Sequence, residues 1–237
     1  MHERELGMDI LVDLDGTLVD PKPGLIGSVQ HALRKLGQPV PPVDELLWLI
    51  GPPFRVSLPN LLGSPDRVEE AIGYYRESYL DGGMYDAVVY AGVDEALDAL
   101  GMAGHRLFVA TSKPHRYARP ILERFGLARH FVAICGPELD GTNDHKADLI
   151  GHMIEHEGVR PQSALMIGDR ELDVRAAARH GIPTVGVTWG YGSVEELTAA
   201  GAAVLCRSPD TLAQTASALG LELSACPLAA GVGWVER

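Results

Sequence analysis

The segment Val12-Asp13-Leu14-Asp15-Gly16-Thr17-Leu18 places two acids two residues apart directly after an apolar run. Alternate residues of an extended chain lie on one side, so both carboxylates leave the run together. Burying such a pair is costly unless a cation or protons compensate. A helix cap or an Asp-Gly turn accounts for either acid alone, but not for both at one strand end. Three further segments give the pair a context. Thr111-Ser112-Lys113 follows the apolar run Leu107–Ala110 and offers a hydroxyl and turn amides to a phosphate oxygen. Lys146 opens the apolar helical stretch 147–156. A cation is poorly placed against the helix dipole there, so an anion from elsewhere is expected to hold it. Gly168-Asp169-Arg170-Glu171-Leu172-Asp173 follows the run Ala164–Ile167 and adds two more acids, Asp173 also being suited to cap the next helix.

These segments need elements that bring them together. Apolar runs that read as buried strands recur at Ile10–Leu14, Leu107–Ala110, Val132–Cys135, Ala164–Ile167, Thr184–Val187 and Ala203–Cys206. Helical-period stretches alternate with them and close on glycine: Tyr117–Phe125 at Gly126, Asp173–His180 at Gly181, Ala213–Leu219 at Gly220. Alternation of this kind predicts an α/β fold, a doubly wound parallel sheet covered on both faces. Open sheets of that type place ligands at the carboxyl ends of their strands, where the acids, Thr111 and Lys146 all fall. An oxygen-only set without His or Cys favours a hard cation, and beside a phosphate that cation is Mg²⁺.

Residues 21–90 break the rhythm. Leu25, Ile26, Val29, Ala32, Leu33 and Leu36 mark one helical face, and a second helix is expected around Val68–Tyr79, with no central strand between. The predicted organisation is a Rossmann-like core from 1–20 and 91–237, and a mostly helical inserted domain at 21–90. The weak periodicity after Leu221 predicts a loosely packed tail.

The net charge of −12 disfavours a nucleic-acid polymer, whose affinity comes from Lys and Arg contacts. Small anions stay open, because one local cation overrides the global sign. Cys135, Cys206 and Cys226 form no C-x-x-C pair, and the nine histidines are scattered, so neither a disulfide framework nor a zinc centre is expected. The polar start and the early interruption of the first apolar run by Asp13 predict no signal segment and no membrane association, and so a cytoplasmic protein.

The order D-x-D-G-T, then Thr111, then Lys146, then G-D-x-x-x-D resembles the haloacid dehalogenase superfamily, over nearly the whole chain. Thr111-Ser112-Lys113-Pro114, Glu138–Thr142, Met166–Asp169 and Gly186–Gly192 are similar to its phosphoglycolate phosphatase-like branch, which also holds bacterial 5′-nucleotidases. The resemblance implies that the insertion is a mobile cap, Asp13 the nucleophile and Asp15 the acid and base. Thr111 and Lys146 would neutralise phosphoryl oxygens. Mg²⁺ would be held by Asp13, the backbone carbonyl of Asp15, and Asp169, with Asp173 beyond or through water. Gly16, Ser112 and Lys113 are expected substrate contacts. So is Arg55, carried by the stiff loop Ile50–Arg55 and suited to a substrate carboxylate. The function expected first is hydrolysis of a small phosphorylated metabolite resembling 2-phosphoglycolate by a monomer or homodimer. A 5′-nucleotidase, a sugar-phosphate mutase and a non-catalytic binding protein are the other readings.

Overall fold

A computed structural model describes residues 7–225. The apolar run after Met8 forms β1 (Asp9–Val12), every residue of it buried. A short β2 (Val19–Asp20) leads into α1 (Lys22–Lys35), α2 (Phe54–Leu62) and α3 (Val68–Leu80), after which β3 (Val88–Val89) returns the chain. The remainder alternates: α4 (Val93–Met102), β4 (Arg106–Ala110), α5 (His115–Arg124), β5 (Phe131–Cys135), α6 (Lys146–His156), β6 (Ala164–Gly168), α7 (Glu171–Ala178), β7 (Thr184–Val187), α8 (Val194–Ala200), β8 (Val204–Cys206) and α9 (Leu212–Ala225).

Six strands form one parallel sheet in the order β5-β4-β1-β6-β7-β8. The chain winds outward from β1 in one direction and then in the other, so the order reverses between β1 and β6. At such a reversal the helices diverge to opposite faces and open a crevice at the strand ends. Side-chain alternation divides the core accordingly. Ile10 and Val12 pack with Val109, Ile167 and residues of α4, α5 and α9 on one face, while Leu11 packs with Phe108, Met166 and residues of α6 and α7 on the other.

Between β2 and β3 the chain is helical, with one antiparallel pairing of Val19 with Val89 and Asp20 with Val88 at its base. All six apolar residues expected on one face of α1 are buried. The cluster that all of them but Leu36 join also takes in Tyr75 and Tyr79 of α3 and reaches Tyr117 and Ile121 of α5, so the insertion packs directly onto a core helix. The β2–β3 pair was not expected: two residues per strand are too short to show a period.

Two sequence expectations are corrected here. The first strand ends at Val12, two residues before Leu14, although Asp13 still donates its N–H to Ile167 O at 2.9 Å. The last helix does not stop at Gly220 but runs through it to Ala225. The helix runs close to Met8 there: a Cβ on Gly220 would lie 2.3 Å from Met8 Sδ. Of the tail beyond Leu221, residues to Ala225 are therefore helical, and Cys226–Arg237 lie outside the described residues.

At the end of β1 remote from the crevice, Asp9 is fully buried. It accepts from Arg106 Nε at 2.8 Å, Arg106 Nη2 at 2.7 Å, and Arg160 N, Nε and Nη2 at 2.8, 3.0 and 2.7 Å. Burial alone would raise its pKa, but the bonds from Arg160 and Arg106 outweigh burial and hold it at about 2. The carboxylate is thus bound more tightly as an anion in the folded chain than in the unfolded one, where about 3.9 is expected. Its contribution is complete above about pH 4 and is lost as pH falls through about 2. Asp9→Asn should destabilise the protein by about 2 kcal/mol at pH 7, or lower its melting temperature by roughly 6 °C. Urea titrations of the two proteins should show that gap shrinking between pH 4 and pH 3; a constant gap would contradict the assignment.

Candidate active site

β1 and β6 end side by side, and the site begins where each strand gives out. Asp13, the residue after β1, is 3% exposed. Lys146, first residue of α6 and also buried, brings Nζ to 2.9 Å from Asp13 Oδ1 and donates to Asp173 Oδ1. These are the anions that a lysine at a helix start was expected to need. Asp169 follows β6 directly and is fully buried; its Oδ2 accepts from Tyr191 N at 2.7 Å and its Oδ1 from Thr17 Oγ1 at 3.2 Å. Asp173 is not the cap of α7, a place taken by Arg170. It sits in the first turn, where Oδ2 accepts from Arg170 N at 3.0 Å and Oδ1 faces Lys146.

The turn after β1 and the turn after β7 interlock around Asp169. Gly16 has φ +85°, and a Cβ on it would lie 2.2 Å from Asp169 Oδ2. A Cβ on Gly190 would lie 2.3 Å from Gly16 O and 2.4 Å from Asp169 Oδ2. Trp189 Nε1 donates to Thr17 O at 3.0 Å, and the Tyr191 hydroxyl bonds Asp20. These two aromatics fasten one turn to the other.

A second ion pair lies beside the first. Asp15 Oδ2 is 2.7 Å from Lys113 Nζ, and that ammonium also donates to the Tyr79 hydroxyl at 2.7 Å; all three side chains are buried. Thr111 follows β4, its N–H bonded to Cys135 O at 3.2 Å and its Oγ1 accepting from Lys113 N at 3.2 Å. Asp15, Ser112 and Lys113 line a cleft roofed by the insertion through Leu25, Leu49, Phe54 and Tyr75. Along its wall runs an aromatic series: Phe54 edge-on to Tyr75 at 4.5 Å, Tyr75 stacked on Tyr79 at 4.9 Å, Tyr79 edge-on to Tyr117 at 5.7 Å.

The electrostatics are unbalanced. Burial, reinforced by Asp173 and Asp13, pushes Asp169 up to about 8. Burial likewise lifts Asp173 to about 6 against the pull of Lys146, and raises Asp15 against that of Lys113. Both lysines are held above their ordinary value, since Asp13 and Asp173 around Lys146, and Asp15 and Tyr79 around Lys113, outweigh burial. Four buried carboxylates face two buried ammonium groups, so with all four ionised two negative charges would be left over, the charge of one divalent cation. Oxygens of Asp13, Asp169 and Asp173 lie within 4.8 Å of one another, and Asp15 Oδ1 is buried without a hydrogen bond. An oxygen-only set of this kind fits a hard divalent ion such as Mg²⁺. The Asp15 carboxylate is outside that set.

Arg55 lies on the cleft wall, but its guanidinium is engaged by the protein. Nε meets Glu69 at 2.9 Å, Nη2 donates to Leu139 O at 3.2 Å, and Nη1 is 3.6 Å from Asp144. Phe54 and Arg55 are the first residues of α2 rather than part of a loop, and Phe54 packs on Tyr75. Elsewhere His130 stands between Asp94 at 2.7 Å and Asp98 at 3.5 Å, but Arg129 at 2.8 Å already neutralises Asp94, making this an ion-pair network. Tyr79 was missed in the sequence. Its spacing of four from Tyr75 marks a buried helix face, but nothing local shows that its hydroxyl meets Lys113.

Comparison with known proteins agrees with this geometry. The family described as haloacid dehalogenase-like hydrolase matches residues 10–187. A 5′-nucleotidase of Pseudomonas aeruginosa is 46% identical over 192 residues, 81% of this chain and 87% of that protein. A phosphoglycolate phosphatase of Agrobacterium fabrum is 34% identical over 82% of this chain and 86% of its own length. Among solved structures, a predicted phosphatase from Clostridium acetobutylicum is 39% identical with a TM-score of 0.86, covering 90% of this chain and 99% of that one. Protein tyrosine kinase A of Mycobacterium tuberculosis is 38% identical with a TM-score of 0.76, over 89% and 98% of the two chains. The chain belongs to the haloacid dehalogenase-like hydrolases, as one of the family's phosphatases.

Proposed function

We propose that this enzyme is a magnesium-dependent phosphomonoesterase that carries the phosphoryl group transiently on Asp13. The observation that carries the reading is the setting of Asp13, a buried carboxylate with Lys146 at 2.9 Å and Asp169 and Asp173 close by. Lys146 pairs with Asp13 Oδ1 and keeps the carboxylate ionised. Asp13 attacks phosphorus, the ester oxygen leaves, and an aspartyl-phosphate forms. Asp15 delivers a proton to the departing oxygen and then takes one from the water that attacks the intermediate. Lys146 and Thr111 meet the phosphoryl oxygens, whose charge needs fixed positive partners more than covalent help. Mg²⁺, held by Asp13, the Asp15 carbonyl and Asp169 with Asp173 beside it, would neutralise charge between nucleophile and phosphate. The insertion at 21–90 acts as a cap that excludes water from this chemistry.

The cleft refines the substrate. Leu25, Leu49, Ile72, Phe54, Tyr75 and Tyr117 give it a broad apolar and aromatic wall. A two-carbon phosphoacid has no surface to match such a wall, whereas a nucleoside does. We therefore favour nucleoside monophosphates over the 2-phosphoglycolate that the sequence placed first. The similarity to a protein named 5′-nucleotidase supports this order.

In a phosphate-release panel with Mg²⁺, kcat/KM for the best nucleoside monophosphate should exceed that for 2-phosphoglycolate by about tenfold or more, the range one or two apolar contacts supply. The opposite ratio would return the assignment to the phosphoacid. Asp13→Asn, or excess chelator, should abolish turnover of p-nitrophenyl phosphate with the fold intact; retained activity in either would remove the mechanism. Thr17 orients Asp169 through its hydroxyl. Thr17→Val should therefore raise the Mg²⁺ concentration for half-maximal activity by about tenfold, with a smaller change in the limiting rate.

A further inference from the structure

We propose that Tyr79, supplied by the inserted helix α3, is a positioning residue for Asp15 and acts on it through Lys113. The proposal rests on the reading of Asp15 as the group that protonates the leaving oxygen, and adds the means by which the insertion sets its aim.

The two carboxylate oxygens of Asp15 are in different situations. Oδ2 is taken by Lys113 Nζ at 2.7 Å, whereas Oδ1 is buried and has no hydrogen-bond partner. Asp15 lines the cleft, so the way Lys113 holds one carboxyl oxygen sets the direction of the other. That geometry lasts only while Lys113 is itself held. A lysine carries its ammonium on a four-carbon stem with many rotamers, and an ion pair to one oxygen does not fix where that ammonium sits. The second anchor is the Tyr79 hydroxyl, at 2.7 Å from Nζ. Tyr79 in turn has little freedom, being 2% exposed and wedged between the rings of Tyr75 and Tyr117.

Asp15, Lys113 and Tyr79 come from three places: the turn after β1, the turn after β4, and the insertion. The first two belong to the sheet edge, so only the third depends on how α3 lies over the core. With α3 seated, the chain of contacts from Tyr79 to Asp15 is complete and Oδ1 has a defined direction. With α3 displaced, Lys113 keeps a partner but loses its second anchor. The acid is then aimed only when the cleft is covered.

A tyrosine that merely satisfied a buried ammonium would affect stability, and would slow all substrates alike. A positioning role makes a different prediction, because protonation matters in proportion to how poor the leaving group is. Phenyl phosphate and p-nitrophenyl phosphate have closely similar shapes, and phenol is the poorer leaving group. For each enzyme form kcat/KM on both is measured with Mg²⁺ saturating, since this constant covers steps up to departure of the phenol. Tyr79→Phe keeps the ring and its stacking and removes only the hydroxyl. It should lower the phenyl to p-nitrophenyl ratio about fivefold, a modest share of what a general acid supplies. Lys113→Met should lower the ratio at least as far, and adding Tyr79→Phe to it should cause no further fall, as expected for residues acting in series.

Asp15→Asn separates the two levels of the reading. It should lower the ratio more than either variant. If Asp15→Asn shifts the ratio and Tyr79→Phe does not, the acid stands and the positioning role of Tyr79 is overturned. If neither shifts it, both are overturned. A Tyr79→Phe enzyme slowed equally on the two esters would also overturn the proposal, marking the hydroxyl as structural.

Discussion

Four carboxylates are buried at one sheet edge with two ammonium groups for company, and this imbalance organises the rest of the structure. Such a group of acids cannot all ionise without help, as the raised values of Asp169 and Asp173 reflect. Every element around the crevice answers that problem in part. α6 begins with a lysine where a helix dipole would reject one, and the turn after β4 sends in a second. The turns after β1 and β7 spend backbone and side-chain donors on Asp169. What remains uncompensated is the charge of one divalent cation. On this view the fit to a divalent ion is a property of the fold's electrostatics before it is a property of the reaction.

The two ends of β1 treat buried carboxylates in opposite ways. Asp9 is saturated by two arginines and lies well below the ordinary carboxylate range, so it is spent on the fold. Asp13, four residues on, meets a single ammonium, that of Lys146, and has Asp169 and Asp173 beside it. A strand buried on both faces holds the two at a fixed separation, and anchoring one end fixes the height at which the other emerges.

Much of this was legible in the sequence because it follows from local rules. Buried strands of a parallel sheet are unbroken apolar runs, so the residues ending each run, Asp13, Thr111 and Asp169, fall at one edge once the fold class is known. Lys146 was legible through its conflict with the helix dipole. What escaped depended on contacts between distant segments. Gly220 read as a helix end because a glycine cap and a glycine passing close to Met8 look the same in one dimension. Trp189 and Tyr191 carry no local sign of their partners, although one donates to the turn after β1 and the backbone of the other holds Asp169. The period of α3 showed that Tyr79 is buried, but a period cannot say what a phenol meets thirty-four residues away. Arg55 was seen as a free fork because the acids that engage it, Glu69 and Asp144, come from other segments.

The interlock between Gly16, Gly190 and Asp169 bears on how such a site can change over generations. A methyl group on either glycine collides with the other turn or with the carboxylate itself. Drift in one turn therefore has no neutral first step, since any added atom must be answered at once by a second change across the crevice. The roof of the cleft is under no such restriction, being made of side chains that can be exchanged one at a time. Descendants of this chain would accordingly diversify in what they accept while inheriting the phosphate end as a single indivisible piece.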